Sequence, residues 1–400
     1  MRRKTAGREG QKRSDGLAAP IWLVSGTRPE VIKLAPLYLA ALGRFGSGAV
    51  QWISTGQHLA LETQMLGHFG IVPHHRLPER ADTEDVTRFS LRAIEELTRL
   101  QAAAGPGLVI VQGDTASTFA GAFAAFHDGI PVAHVEAGLR THDIHSPYPE
   151  EAYRRMTDAM SDLHFAPTPR AAARLAAEGF PAESIFTTGN TAVDALQMID
   201  SMDGEPAAGL LAEIPPSARL LVVTMHRRES WGAPMEDLCH AVRDIVADHP
   251  DVRVVLPVHV NPRVRCTVTG ILEGVPRVML TPPLDFLTTH ALIRRAQLVL
   301  TDSGGITEEA PSYGVPVLIL RRWTERPEAV EEGLAELVGT DRKTVAEAAR
   351  RLLDDPEART RMTAARNPYG DGRAAERIVL GIERFLSGEG PVLTEEEQFP

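Results

Sequence analysis

The sequence predicts an α/β protein with two parallel sheets, each covered by helices. Strand-like apolar runs alternate with helical patterns along the chain, an order that builds parallel sheets. The alternation stops at a Pro- and Gly-rich stretch near the middle and then restarts. The chain has 400 residues, 43% of them apolar, enough for two cores and more than one domain usually holds.

In chain order, the opening "MRRKTAGREGQKRSDG" is basic and has no apolar segment behind it. Residues 1–19 therefore read as a disordered leader, not a secretory signal. The runs "IWLVSG", "VQWIST", "GLVIVQ", "IPVAHV", "LHFAPT" and "IFTTGN" are the strands of a first domain, 20–190. The break lies near Gly189–Ser201, ahead of "MDGEPAAGLLAEIPPSA". A second domain, 191–372, carries "RLLVVTMH", "VRVVLPVH", "VMLTPP", "AQLVLTDSGG" and "VPVLIL". "RAAERIVLGIERFL" is amphipathic, so 373–388 is expected as a helix that packs back on the first domain. Residues 389–400 are left as a disordered tail.

Net charge of −11 argues against general nucleic-acid binding, which needs surplus Lys and Arg to neutralise phosphates. No apolar run reaches the roughly 18 residues of a membrane span. Cys239 and Cys266 have neither metal spacing nor a disulfide framework, which fits a cytoplasmic protein. The G-x-G-x-x-G fingerprint is missing after the first strand, and so is the G-x-x-x-x-G-K-[ST] loop.

In open α/β sheets the ligand crevice lies beyond the carboxyl ends of the strands. Asp114 follows "LVIVQG" and Glu136 follows "VAHV", so both fall at such ends. Residues 134–151, "HVEAGLRTHDIHSPYPEE", hold eight ionisable side chains, including Glu150 and Glu151. A charge cluster is ordinarily wet surface, but the strand ends give this one an address. Thr27-Arg28-Pro29-Glu30 reads as a capping box, with Arg28 at a helix N-terminus suited to an anion. Ser303, Gly304 and Gly305 repeat that arrangement and leave backbone N–H groups open to a ligand, with Glu308 and Glu309 following. His226, Arg227 and Arg228 end one strand of the second half and His259 ends the next. Two such His residues beside Arg favour a site over two packed core residues. His134 and Glu136 form an H-x-E without the downstream Cys pair of zinc deaminases. His142, Asp143 and His145 lack a rigid element to fix them, so no metal site is assigned.

Taken in order, "GTRPEVIKLAPL", "TGQH", "QGDTAST", "HVEAGLRT", "SPYPEE", "TGNTAVDAL", "HRRES", "PVHVNP", "TDSGGITEEAPSYGVPVL", "TERPEAV" and "NPYGDG" resemble the non-hydrolysing UDP-N-acetylglucosamine 2-epimerases over roughly residues 20–388. The resemblance implies two Rossmann-like domains of the glycosyltransferase-B type facing a central cleft, a homodimer, and no metal or redox cofactor. It implies interconversion of UDP-N-acetylglucosamine and UDP-N-acetylmannosamine by elimination and re-addition of UDP. Matched by motif, Asp114, Glu136 and Glu150 become the acid/base carboxylates, with no separate acid and base assigned among them. Arg28 and His226 hold the diphosphate. Lys33, Ser303, Gly304, Gly305, Glu309 and Arg326 bind the substrate, Glu309 through the ribose hydroxyls.

Two departures stand out. Arg322 and Trp323 occupy positions that usually carry Asp or Asn and a small residue, which bears on sugar specificity. Many bacterial members also bind a second, activating UDP-GlcNAc. Gln57, Arg80, Arg227 and His259 match that pocket, whereas Leu59 and Ala60 replace its polar residues. Outside the epimerase reading stand a glycosyltransferase or hydrolysing relative of the same fold, and a UDP-sugar sensor without turnover. Three carboxylates beside a diphosphate speak against the sensor, because they weaken binding unless they serve chemistry.

Overall fold

The computed structural model describes residues 19–400 apart from 82, 142, 201–207, 325 and 389–391. The expected leader therefore lies, save its last residue, outside the described residues. The chain forms two compact units, Met1–Met198 with Tyr369–Pro400, and Ile199–Pro368.

The first unit carries strands β1 (Ile21–Ser25), β2 (Val50–Ser54), β3 (His75–Arg76), β4 (Leu108–Gln112), β5 (Val132–Val135), β6 (Leu163–Ala166) and β7 (Ile185–Thr187). Its helices are α1 (Arg28–Phe45), α2 (Leu59–His68), α3 (Val86–Ala104), α4 (Ala116–His127), α5 (Glu150–Met160), α6 (Pro169–Ala177) and α7 (Thr191–Asp200). The strands lie in the order β3-β2-β1-β4-β5-β6-β7, with parallel pairing throughout.

The second unit runs α8 (Ala208–Ala212), β8 (Arg219–Thr224), α9 (Ala233–Asp248), β9 (Val252–Pro257), α10 (Pro262–Leu272), β10 (Val278–Thr281), α11 (Phe286–Arg295) and β11 (Leu298–Thr301). It continues through α12 (Gly304–Glu309), β12 (Val317–Ile319), α13 (Glu328–Glu331), β13 (Ala335–Leu337), α14 (Arg342–Asp354) and α15 (Pro356–Thr363). Its parallel strand order is β10-β9-β8-β11-β12-β13. Helix α16 (Ala374–Ser387) belongs to the first unit and packs on α1.

Both sheets reverse direction once, between β1 and β4 in one unit and between β8 and β11 in the other. Ligands of doubly wound sheets collect at that switch. Buried strands read as unbroken apolar runs because both faces are covered. Trp22, Val24, Val109 and Val111 form one core with Phe89, Ala93 and Ala120. The small residues of α4 let it press on the sheet at the switch: a Cβ at Gly121 would stand 3.0 Å from Val111 and 3.2 Å from Val24.

Three features differ from the sequence expectation. Strands β3 and β13, two and three residues long, carry too little pattern to be read in advance. Helix α7, placed by sequence with the second domain, falls up to Met198 in the first unit. The tail is packed over its described part, 392–400: Leu393 and Phe399 are buried, Phe399 N–H donates to the Thr187 carbonyl at 2.8 Å, and Gln398 accepts from Thr187 N–H at 2.8 Å. These bonds occupy the open edge of β7, and an ion pair between Arg384 and Glu397 holds the tail to α16. Its run of Glu residues hid this from a reading by composition.

Asp194 on α7 accepts from the N–H groups of Ala374 (3.3 Å) and Ala375 (2.8 Å) at the start of α16. Burial pushes its carboxyl up to about 6 despite these bonds. Asp194→Ala leaves both buried donors without this acceptor and is expected to destabilise the first unit by about 1–3 kcal/mol. Denaturant unfolding followed by a probe in that unit checks this; an unchanged midpoint contradicts it.

Candidate active site

In the first unit, the switch between β1 and β4 sets Arg28, first residue of α1, beside the turn that carries Asp114. The expected capping box forms only in part. Thr27 makes no side-chain cap, and the Glu30 carboxylate accepts from Gly26 N–H (3.0 Å), one residue before the cap. Among the described residues no ion pair engages Arg28, which leaves its guanidinium available to an anion.

Glu136 follows β5 with φ of 69°, a left-handed conformation rare outside glycine. Both its N–H and that of Ala137 turn onto the Phe165 carbonyl, at 3.0 and 3.2 Å. The bend aims the carboxylate at Lys33, with which it forms an ion pair, and at the Gln112 amide, which donates to it. Asn190 Nδ2 donates from 3.4 Å. The Glu136 side chain is 8% exposed. Backbone strain of this kind costs about 1–3 kcal/mol and persists where the surroundings over-determine it.

Asp114 is more open, at 29% side-chain exposure, and pairs with Arg154, whose Nε donates from 3.1 Å. Glu150 begins α5 and has no hydrogen-bond or ion-pair partner among the described residues. Its neighbour Glu151 is fully buried and accepts from Thr141 N–H (3.1 Å), Arg154 (2.9 Å) and Arg155 (2.8 Å). Arg154 thus joins the Asp114 turn to the start of α5. The sequence reading missed it, although its spacing of four from Glu150 and three from Glu151 is helical.

The charge cluster at 134–151 is of mixed purpose. His134 is buried, with Nδ1 2.6 Å from Asp158 Oδ1 and Nε2 2.8 Å from the Gly113 carbonyl. Asp158 also meets Arg140 at 2.8 Å, and Arg140 donates twice to Glu178. Burial pushes the Asp158 carboxyl up, but His134 and Arg140 together hold it below its usual range. These groups support the Gly113–Asp114 turn from beneath. Asp143 and His145 are exposed, with Asp143 accepting from His145 N–H at 2.9 Å. His142 lies outside the described residues.

In the second unit, Asp302 at the end of β11 accepts from the N–H groups of His226 and Arg227, both at 2.8 Å. His226 Nδ1 approaches its other oxygen at 2.9 Å. Burial raises the Asp302 carboxyl, but these contacts outweigh it and hold it below the usual range. The His226 side chain, 42% exposed, stacks near His259 with ring centroids 6.3 Å apart. Ser303 precedes α12 without capping it through its side chain. At Gly304 the missing side chain admits Arg326, since a Cβ there would lie 2.6 Å from its guanidinium. Arg326 pairs with Glu308, and Glu309 meets His290 at 3.2 Å. Arg321 pairs with Glu229 at 2.7 Å and stacks on Trp323 at 4.5 Å, which gives one of the two departing residues a packing role. The side chain of Arg228 lies outside the described residues.

A pocket of about 380 Å³ in the first unit is lined by Gln57, Leu59, Ala60 and Arg80 among others. Gln57 is committed there to Ser117, accepting from its N–H at 3.1 Å and its hydroxyl at 2.6 Å. Arg227 and His259 are in the second unit.

The UDP-N-acetylglucosamine 2-epimerase family profile matches residues 41–383. The UDP-N-acetylglucosamine 2-epimerase of Escherichia coli K12 is 44% identical over 367 residues, covering 90% of this chain and 97% of the relative. That of Bacillus subtilis 168 is 44% identical over 361 residues, covering 90% and 93%. The crystal structure of the Neisseria meningitidis UDP-GlcNAc 2-epimerase bound to UDP-GlcNAc superposes with a TM-score of 0.83 at 36% identity, covering 92% of this chain and 100% of that one. The profile match over most of the chain and identities above 40% across nearly whole relatives establish that this chain belongs to the UDP-N-acetylglucosamine 2-epimerase family.

Proposed function

We propose that the protein interconverts UDP-N-acetylglucosamine and UDP-N-acetylmannosamine by inverting C2 of the sugar. Membership of the epimerase family supports the overall reaction. The observation that carries the chemistry is the set of three carboxylates at the ends of β4 and β5 and the start of α5, each in a different electrostatic setting: Glu136 clamped by Lys33 and Gln112, Asp114 paired with Arg154, Glu150 unpaired among the described residues.

The C2 proton is not next to a carbonyl and is very weakly acidic, so simple abstraction is too slow. Departure of UDP from C1 acidifies it. In an anti-elimination, a carboxylate takes the proton, the C2–H electron pair becomes the C1–C2 double bond, and the C1–O bond breaks towards UDP. The 2-acetamidoglucal then receives a proton on the other face of C2 while UDP returns to C1. Atoms and electrons balance without a redox partner. Asp114, Glu136 and Glu150 supply and accept the protons. Arg28 and His226 stabilise the charge on departing UDP, with Lys33 tuning Glu136. The amides at Ser303, Gly304 and Gly305 serve phosphate, Glu309 the ribose, and Arg326 lines the same side. On this reading the protein acts as a cytoplasmic homodimer; no helix among the described residues is long and apolar enough to cross a membrane.

With UDP-GlcNAc in D2O, the epimer formed is expected to carry deuterium at C2. Unlabelled epimer rules out this route, and free sugar with UDP as the main products indicates a hydrolase.

Asp114→Asn, Glu136→Gln and Glu150→Gln are each expected to lower turnover by about 10²–10⁴-fold while UDP still binds. Steady-state kinetics with UDP-binding calorimetry check this; a variant with near-normal turnover removes that residue from the set.

Leu59 and Ala60 line the 57–81 pocket with side chains that make no hydrogen bonds. Losing one such bond to a charged group costs roughly 1.5–3 kcal/mol, about a tenfold or greater loss of affinity for an activating nucleotide sugar. Weak differential binding gives weak coupling. UDP-ManNAc alone is therefore expected to react without a lag, and dependence on UDP-GlcNAc to be hyperbolic. A lag relieved by traces of UDP-GlcNAc contradicts this.

A further inference from the structure

Glu30 is 1% exposed, two residues beyond Arg28 on α1, and no step above uses it. Its Oε2 accepts from Gly26 N–H at 3.0 Å, inside the turn that carries Arg28. Its Oε1 lies 2.7 Å from the hydroxyl of Thr115, which follows Asp114 and caps α4, and 3.0 Å from the hydroxyl of Thr118. One carboxyl group therefore spans the two turns that flank the sheet's switch point.

Hydrogen counting favours its neutral state. Thr118 Oγ1 is also 2.6 Å from the Gln112 carbonyl oxygen, which can only accept. The single Thr118 hydroxyl hydrogen goes there, so an ionised Glu30 accepts only from the Thr115 hydroxyl, whereas a protonated Glu30 accepts from Thr115 and donates to Thr118, turning both contacts into hydrogen bonds.

We propose that Glu30, donating a hydrogen bond to Thr118 and accepting one from Gly26, is a positioning residue that locks the Arg28 turn to the Asp114 turn.

The surroundings favour the neutral form. Burial first, and the nearby Glu62 of α2 as well, push the carboxyl up to about 7, against the lowering effect of its hydrogen bonds. Glu62 is itself buried and accepts from the Ser25 and Ser54 hydroxyls. The α4 and β4 elements present hydroxyls and the Gln112 carbonyl. On its own helix the charged neighbours are Arg28 and Lys33, and Asp114, ahead of Thr115, is engaged by Arg154. Loss of the proton sets a buried anion against the Thr118 lone pairs and releases the start of α4, and displacements below an ångström at a catalytic group cost rate.

The activity readout rests on the epimerase reading; a second, thermal readout does not. Wild type, Glu30→Gln and Glu30→Ala are compared for C2 exchange and for melting temperature as pH rises. Gln reproduces the neutral carboxyl, with its amide donating to Thr118 and its carbonyl accepting from Gly26. Wild-type kcat is expected to fall as pH rises through about 7, with that fall absent in Glu30→Gln. Folded Glu30→Ala is expected to lose about 10²-fold in kcat with KM little changed. The folded-state value exceeds the unfolded one, so the stabilisation from the neutral group is complete below the unfolded value of about 4.5 and is lost as pH rises to about 7. The melting temperature of wild type relative to Glu30→Gln is therefore expected to decline across that window. Matching pH profiles in wild type and Glu30→Gln, wild-type kcat in Glu30→Ala, or a melting difference independent of pH each overturns the proposal. Wild type without C2 exchange defeats the epimerase reading and leaves the thermal comparison to decide this one.

Discussion

The Glu136 carboxylate is the constraint around which the first unit is arranged. It leaves β5 in a left-handed bend and meets Lys33 from α1, Gln112 from β4 and Asn190 from the start of α7. A carboxylate this enclosed is costly unless charge and hydrogen bonds repay its lost hydration. Four separate parts of a doubly wound unit must therefore agree in position before Glu136 is satisfied.

Beneath the site lies a chain of ionisable side chains, with buried His134, Asp158 and Arg140 leading out to the exposed Glu178. His134 Nε2 lies 2.8 Å from the Gly113 carbonyl, so the chain reaches the Asp114 turn. Gly138 closes this region: at φ of 86°, a Cβ would come within 2.4 Å of the Ala171 carbonyl. Among the described residues, the ionisable groups at 134–151 thus fall into those that support the turn, those held at the strand ends and the α5 start, and the exposed Asp143 and His145.

The two-sheet α/β architecture was legible because both-face burial leaves long apolar runs, and because parallel strands need helical crossovers between them. Asp114, Glu136, His226 and Ser303 could be located by their positions after strands. What the sequence concealed was pairing. Nothing local in "EEAYRRMT" says that Arg154 crosses to Asp114, or that Glu151 is the buried carboxylate while the Glu150 side chain is unpaired among the described residues. Glu30 read as an ordinary helix cap because its partners Thr115 and Thr118 are more than eighty residues away. The packed tail was hidden for the same reason, since the edge of β7 that orders it lies far back in the chain.

The site's carboxylates make sense if proton transfer at C2 is tied to leaving-group departure at C1, because only an electron-deficient C1 brings the C2 proton within reach of such weak bases. That coupling is the central claim. It is tested most directly with UDP-GlcNAc carrying ¹⁸O in the bridge between C1 and the β-phosphorus. If the C1–O bond breaks in each turnover, the label in recovered substrate is expected to spread to the non-bridging oxygens of the β-phosphate as epimer accumulates. Epimer formed while the label stays wholly in the bridge contradicts the account.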